Sequence, residues 1–142
     1  MSVVLYHWPI SPPPRTVLAV SKAIWIDATC LNIGGHVIPT YLVSRYGKDD
    51  SLCPKDLKMR ALVDQRLYFN ATALFPRIKN TTTSIIFFGK RSVDADAKAA
   101  IYKALGILEK YLEPTGWVAG DRPTVADISC SVSTGRMKVR DT

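Results

Sequence analysis

No apolar run in this 142-residue sequence approaches the roughly 18 residues that a membrane-crossing helix needs. Nor does a cationic stretch stand ahead of the short "SVVLY" segment, so no secretory leader is expected. Cysteine is scarce: Cys30, Cys53 and Cys130 are odd in number, far apart, and in neither Cys-x-x-Cys nor Cys/His spacing. That excludes a disulfide framework or a zinc site as the organising device and suits small thiols in a reducing, cytoplasmic compartment. In that setting Asn70-Ala71-Thr72 and Asn80-Thr81-Thr82 are chance matches to a glycosylation triplet. A basic tract is also missing. The net charge is +7, from 19 basic and 12 acidic residues, but the signs interleave, as in "GKDDSLCPKDLKMR". Only Arg136, Lys138 and Arg140 cluster, so neither a nucleic acid nor a membrane is an expected partner.

What is present is ordinary globular material, with 47% hydrophobic residues. Val3 to Tyr6 reads as a short first strand. Pro12, Pro13 and Pro14 then interrupt any ladder, and proline is tolerated only in a helix's first turn. From Arg15, the spacing of Val17, Val20, Ser21 and Ile24 predicts a helix of two to three turns. "IDATCLNI" (26–33) reads as a second strand ended by Gly34-Gly35. The opening is therefore β-α-β. Read locally, Ser11 is a helix-entry serine whose hydroxyl caps nearby backbone groups. Tyr41 to Tyr46 suits the last turns of a helix closed by Gly47.

The second half is predicted to be helical. Pro54 opens a helix over about 55–74, with Met59, Leu62, Val63, Leu67, Phe69 and Ala73 in one arc. Arg66 and Asn70 sit inside that arc, and a buried arginine needs a partner, so the pair is an internal polar clasp or an interface contact. Leu57, Ala61 and Tyr68 form a second stripe opposite, which predicts packing on two partners. "NTTTS" and "FFGKRS" read as a loop. A further helix is expected over about 94–112, with Ala97, Ile101, Leu105, Leu108 and Leu112 at 3–4 spacing. Asp94 and Asp96 near its start and Lys110 near its end suit the helix dipole. In "GWVAGDRPTVADISC", Thr124-x-x-Asp127 is a capping-box-like helix start.

Three stretches, "VLYHWPISPPPRTVL", "YLVSRYGKDDSLCPKDLKMRALVDQRLYF" and "GWVAGDRPTVADIS", together resemble cytosolic glutathione S-transferases of the insect delta/epsilon type. The resemblance covers about four-fifths of the chain. It implies an α/β plus all-α fold, with a truncated thioredoxin-like, glutathione-binding domain over 1–46. An incomplete all-helical domain follows over 47–142. It implies a homodimer, glutathione as co-substrate, hydrophobic electrophiles as second substrate, and no cofactor. Ser11 falls at the catalytic serine, where a hydroxyl donating to the glutathione thiolate favours the charged form. The hydrophobic site would draw on Tyr6, Trp8, Pro9 and Ile10, with Tyr68, Phe69 and Phe75 from the second half.

The departures from the family pattern lie between residues 34 and 46 and after residue 133. The family has a helix, a cis-proline element, two strands and an acidic-plus-serine motif before its third helix. Here "GGHVIPTYLV" passes from the second strand to that helix end directly. His36, Ile38 and Pro39 match the cis-proline element, which would put His36 at the glycyl carboxylate and use the Ile38 backbone. The register of His36, Pro39 and Thr40 favours that element over the alternative, a proline inside the helix itself. No Glu-Ser or Asp-Ser pair, the family's γ-glutamyl anchor, occurs between Gly34 and Tyr46. The expectation is an internally deleted, C-terminally shortened member with a two-stranded sheet and exposed apolar faces. The alternative to catalysis is a non-catalytic helical remnant that dimerises or binds hydrophobic ligands.

Overall fold

In the computed structural model, residues 3–5, 12–25, 28–30, 37–89 and 92–135 are described. The β-α-β opening is present. Strands β1 (Val3–Leu5) and β2 (Ala28–Cys30) pair in parallel, Val3 opposite Ala28 and Leu5 opposite Cys30, with helix α1 (Pro12–Ala23) between them. Helix α1 starts at Pro12 rather than Arg15. The three prolines are its first three residues, where the ring pre-sets φ and a missing N–H leaves no intrahelical bond unmade. Val17, Val20 and Ile24 are buried along one side, as the spacing predicted.

Past the end of α1, Trp25 has a φ of 60° and its side chain is 84% exposed. A left-handed residue after a helix is ordinarily glycine, because a Cβ there costs about 1–2 kcal/mol. The indole recovers little of that by burial. Trp25→Gly is therefore expected to stabilise the chain by about 1 kcal/mol and to raise the melting temperature by about 3 °C in a thermal scan.

Helix α2 (Ile38–Tyr46) ends at Gly47, as expected. A Cβ on Gly47 would stand 2.5 Å from the Val43 carbonyl oxygen, so only glycine fits there. Pro39 is in the first turn of α2, and no peptide bond among the described residues is cis. This corrects the cis-proline reading of Ile38 and Pro39. They are the first two residues of a helix, Pro39 is buried in the core, and Thr40 donates its hydroxyl to the Val37 carbonyl at 2.7 Å.

Helix α3 (Leu57–Phe69) is capped by Asp56, whose carboxylate accepts from the Met59 N–H at 2.9 Å. Its expected inner arc is inside: Val63 and Leu67 are buried, while Met59, Leu62 and Phe69 are half-buried. A five-residue π-helical turn, Asn70–Leu74, then leads without a break into α4 (Phe75–Phe88). The Phe75 N–H reaches back to the Asn70 carbonyl. That wider turn precedes Pro76, which has no N–H to continue the ordinary ladder and whose ring would strike the preceding turn.

The "NTTTS" segment is therefore helical, against the loop expectation. Its polar side chains have turned inward on their own helix. Thr81 donates to the Arg77 carbonyl at 3.1 Å, Thr82 to Ile78 at 2.8 Å and Ser84 to Asn80 at 2.9 Å. Those bonds remove the hydroxyls' competition for the backbone, and packing against a neighbouring helix does the rest. Gly89, with a φ of 64°, closes α4.

Helices α5 (Ala95–Leu112) and α6 (Val125–Thr134) fall where the caps and periods indicated. A single core crosses residues 46 and 47. It joins Val17 and Val20 of α1, Leu42 of α2, Val63 and Leu67 of α3, and Val125, Ala126 and Cys130 of α6. Helix α1 packs chiefly on α6 and α2, and α3 packs on α6. The second stripe of α3 has no such cover: Leu57 is 85% exposed, Tyr68 72%, and Ala61 is exposed as well. The expectation of packing on two sides is corrected for the single chain, and the expected exposed apolar face is found here.

Candidate functional site

The entrance to α1 is where the sequence places the predicted catalytic serine. Ser11 immediately precedes Pro12, the first residue of α1. A serine at that position ordinarily accepts a hydrogen bond from the second or third N–H of the helix. Those positions are Pro13 and Pro14, which have no N–H. The second and third positions of α1 therefore offer no N–H to a cap. The helix still presents the positive end of its dipole at this point.

Of the other predicted site residues, Ser11, Tyr6, Trp8, Pro9, Ile10 and His36 lie outside the described residues. Tyr68, Phe69 and Phe75 are described and do not converge. Tyr68 is on the outer stripe of α3. Phe69 faces inward and meets Tyr111 edge-on, with ring centroids 5.2 Å apart. Phe75 is half-buried at the start of α4. Adjacent helical residues project about 100° apart, so Tyr68 and Phe69 cannot line one wall. The sequence showed three aromatics near together; the helix sends them in different directions.

Behind this region is a buried polar network. Arg66 donates from Nε to the Val118 carbonyl at 2.9 Å and lays its guanidinium over the Tyr111 ring at 3.4 Å. Asn70 donates from Nδ2 to Ser129 Oγ at 2.7 Å. The two polar residues of the α3 arc thus find separate internal partners. Among the described residues, two buried polar atoms have none: Asn70 Oδ1 and Arg15 Nη1. Each is a place where a buried water or a bound group would be stabilised. Asn70 was visible in the sequence as a polar residue among apolar ones; Arg15 gave no such signal.

Cys130 lies beside this network. Burial, with a smaller contribution from the Asp127 charge, pushes its thiol from 9.0 up to about 12, while Arg66 acts in the opposite direction. The raised value means that the folded state holds the proton longer than the unfolded chain. The stabilisation is complete below pH 9 and is lost as pH rises toward 12, by about 1.4 kcal/mol per pH unit. Cys130 should therefore resist iodoacetamide at pH 8 until the chain is unfolded, and the urea midpoint should fall between pH 9 and pH 10.

Residues 62–142 match the family model "Glutathione S-transferase, C-terminal domain". Glutathione S-transferase 1 of Manduca sexta is 34% identical over 170 aligned residues, covering 96% of this chain and 78% of the relative. The chain belongs to the glutathione S-transferase family.

Its fold agrees with that of solved transferases. Glutathione S-transferase unclassified 2 from Bombyx mori superposes with a TM-score of 0.86 at 32% identity, covering 94% of this chain and 77% of that one. A glutathione transferase homologue from Drosophila mojavensis, solved with bound glutathione, gives 0.81 at 33% identity, covering 92% and 74%. Insect delta-class and epsilon-class transferases are among the similar structures. An alignment of 170 positions against a 142-residue chain leaves at least 28 positions (170 less 142) opposite no residue here. The internal deletion expected from the sequence is therefore a property of this transferase relative to that one.

Proposed function

We propose that this chain is a glutathione S-transferase that conjugates the glutathione thiolate to hydrophobic electrophiles, with the Ser11 hydroxyl donating to the thiolate sulfur. Family membership supports the reaction class. The single observation that carries the residue assignment is the proline-filled start of α1, which leaves Ser11 without a helix N–H to cap. The α1 dipole adds a favourable field for the anion. Tyr6, Trp8, Pro9 and Ile10, with Phe75 from α4, would form the apolar wall for the electrophile. The reaction so described needs glutathione as a co-substrate and no cofactor, and it belongs in the cytoplasm. Retention of the chain on immobilised glutathione, with elution by free glutathione, tests the binding step. Passage straight through the column would sink the catalytic reading.

The exposed stripe of α3 favours association of two copies, with or without catalysis. Leu57 and Tyr68 are too exposed to be maintained by the single chain's core, and an isologous contact would cover both. Light scattering should give the mass of a dimer for the wild-type chain and of a monomer for Tyr68→Glu, with helix content unchanged. The absence of an acidic-plus-serine pair between Gly34 and Tyr46 favours the second reading, a non-catalytic helical partner. Dimerisation without glutathione retention would select it.

A further inference from the structure

Trp25 is an anomaly that the fold alone does not account for. Its backbone is left-handed, with a φ of 60°, and its side chain is 84% exposed, so the strain is kept without being offset by burial. Backbone strain of this kind concentrates at sites that bind something. Trp25 lines a cavity of about 130 Å3 where the ends of α1 and α2 meet the 47–52 segment. Ile24, Val43 and Leu52 give it apolar walls, the first two buried and the third half-buried.

The polar part of the lining is electronegative. Ala23, the last residue of α1, and Gly47, the C-cap of α2, both line the cavity, so the negative ends of two helix dipoles lie beside it. Asp49 adds a carboxylate. The Ser51 hydroxyl and N–H donate to its Oδ1 at 2.5 and 2.9 Å, which holds the carboxyl below its ordinary value and keeps it charged at neutral pH. With its proton given to Asp49, the Ser51 hydroxyl oxygen can only accept from a ligand. The indole face carries the negative side of the ring quadrupole. One cation, Lys48, is among the lining residues, and it is exposed, its strongly hydrated ammonium carried on a flexible stem. Lys22 and Arg45 in the last turns of the two helices, and Arg122, which also lowers the Asp49 carboxyl, are exposed and do not line the cavity.

From this we infer that the cavity at the ends of α1 and α2 binds a small organic cation of the quaternary-ammonium class. Its methyl groups would meet Ile24, Val43 and Leu52, and its charge would meet the Trp25 indole, Asp49 and the two helix ends. A quaternary ammonium has no N–H to satisfy, and tryptophan is the best of the aromatic faces for it. The cavity is smaller than a drug-sized ligand needs and suits such a head group. An anion would face Asp49 and both helix ends. A neutral molecule would leave the carboxylate and the indole face unused.

Choline is the probe, titrated into the full chain and followed by NMR chemical shifts. Saturable binding is expected, with shifts confined to residues 23–25, 43 and 47–52. The uncharged isostere, with a tert-butyl group in place of the trimethylammonium, should bind about threefold more weakly or worse. Trp25→Gly should weaken choline by about threefold or more. That variant is expected to raise the melting temperature, so its loss of binding would not come from unfolding. Lys48→Gln removes a like charge and should tighten choline by about twofold. The inference is overturned if choline does not saturate, if the isostere binds as well, if Trp25→Gly binds like the wild type, or if Lys48→Gln weakens binding. The isostere comparison needs no variant. None of these results depends on glutathione or on Ser11.

Discussion

Ser11→Ala is expected to lower turnover of a chromogenic aryl electrophile with glutathione by roughly 10- to 100-fold. A hydrogen bond to a charged group is worth about 1.5–3 kcal/mol, and each 1.4 kcal/mol is a factor of ten in rate. The thiolate is the nucleophile, so in the proposed mechanism the hydroxyl would act by holding the sulfur deprotonated. Removing a donor to the charged form raises the thiol pKa, so the rising limb of the pH–rate profile should move up by about one to two units. That movement distinguishes loss of the donor from a misfolded variant, which loses activity at every pH. Part of the thiolate stabilisation should survive in the variant, because the α1 dipole depends on the backbone and not on this side chain. Equal rates for the two proteins, or no turnover by the wild-type chain at any pH, would remove Ser11 from the mechanism.

Asp127→Ala is expected to cost about 3–5 kcal/mol of stability, a large part of what a domain of this size has. One carboxylate serves three donors. Asp127 Oδ1 accepts from the Val118 N–H at 2.7 Å, and Oδ2 accepts from the Thr124 N–H and the Thr124 hydroxyl, each at 2.8 Å. Thr124 is 1% exposed and Val118 5%, so water does not replace the lost acceptor. The Thr124 hydroxyl in turn caps α6 by accepting from the Ala126 N–H at 3.2 Å. The neighbouring backbone is joined to this point: the Val125 N–H donates to the Leu52 carbonyl at 2.9 Å, and Arg66 holds the Val118 carbonyl. Thr124→Ala removes the cap and one of the three bonds to the carboxylate, leaves both N–H donors in place, and should cost less, about 1–2 kcal/mol. Urea unfolding with an unchanged slope measures both. A loss under 1 kcal/mol for Asp127→Ala would mean that the carboxylate does not hold the loop to α6.

How much was legible in the sequence follows from how local each cause is. The capping box at Thr124 and Asp127 needs four consecutive residues, and it forms as read. The inner arc of α3 and the stripe of α5 depend on a 3.6-residue period, and Val63, Leu67, Ile101 and Leu108 are buried accordingly. Gly47 closes α2 because a Cβ would meet the backbone one turn earlier. These features repeat a pattern that any chain with the same residues would favour.

Other features depend on atoms far apart in the chain, and the tertiary structure alone decided them. The "NTTTS" stretch has the composition of a loop, and it is helical once α4 packs against α5 and its hydroxyls turn back on their own carbonyls. Tyr68 and Phe69 are equally aromatic, yet Phe69 packs on Tyr111 of α5 while Tyr68 is left exposed. Pro39 was open to two readings, and the buried first turn of α2 selected the helical one. The sequence by itself therefore determined the capped start of α6, the periods and the family. Which side chains face inward, and which polar groups find partners, waited on the neighbouring helices, because burial and hydrogen-bond satisfaction are properties of the assembled chain.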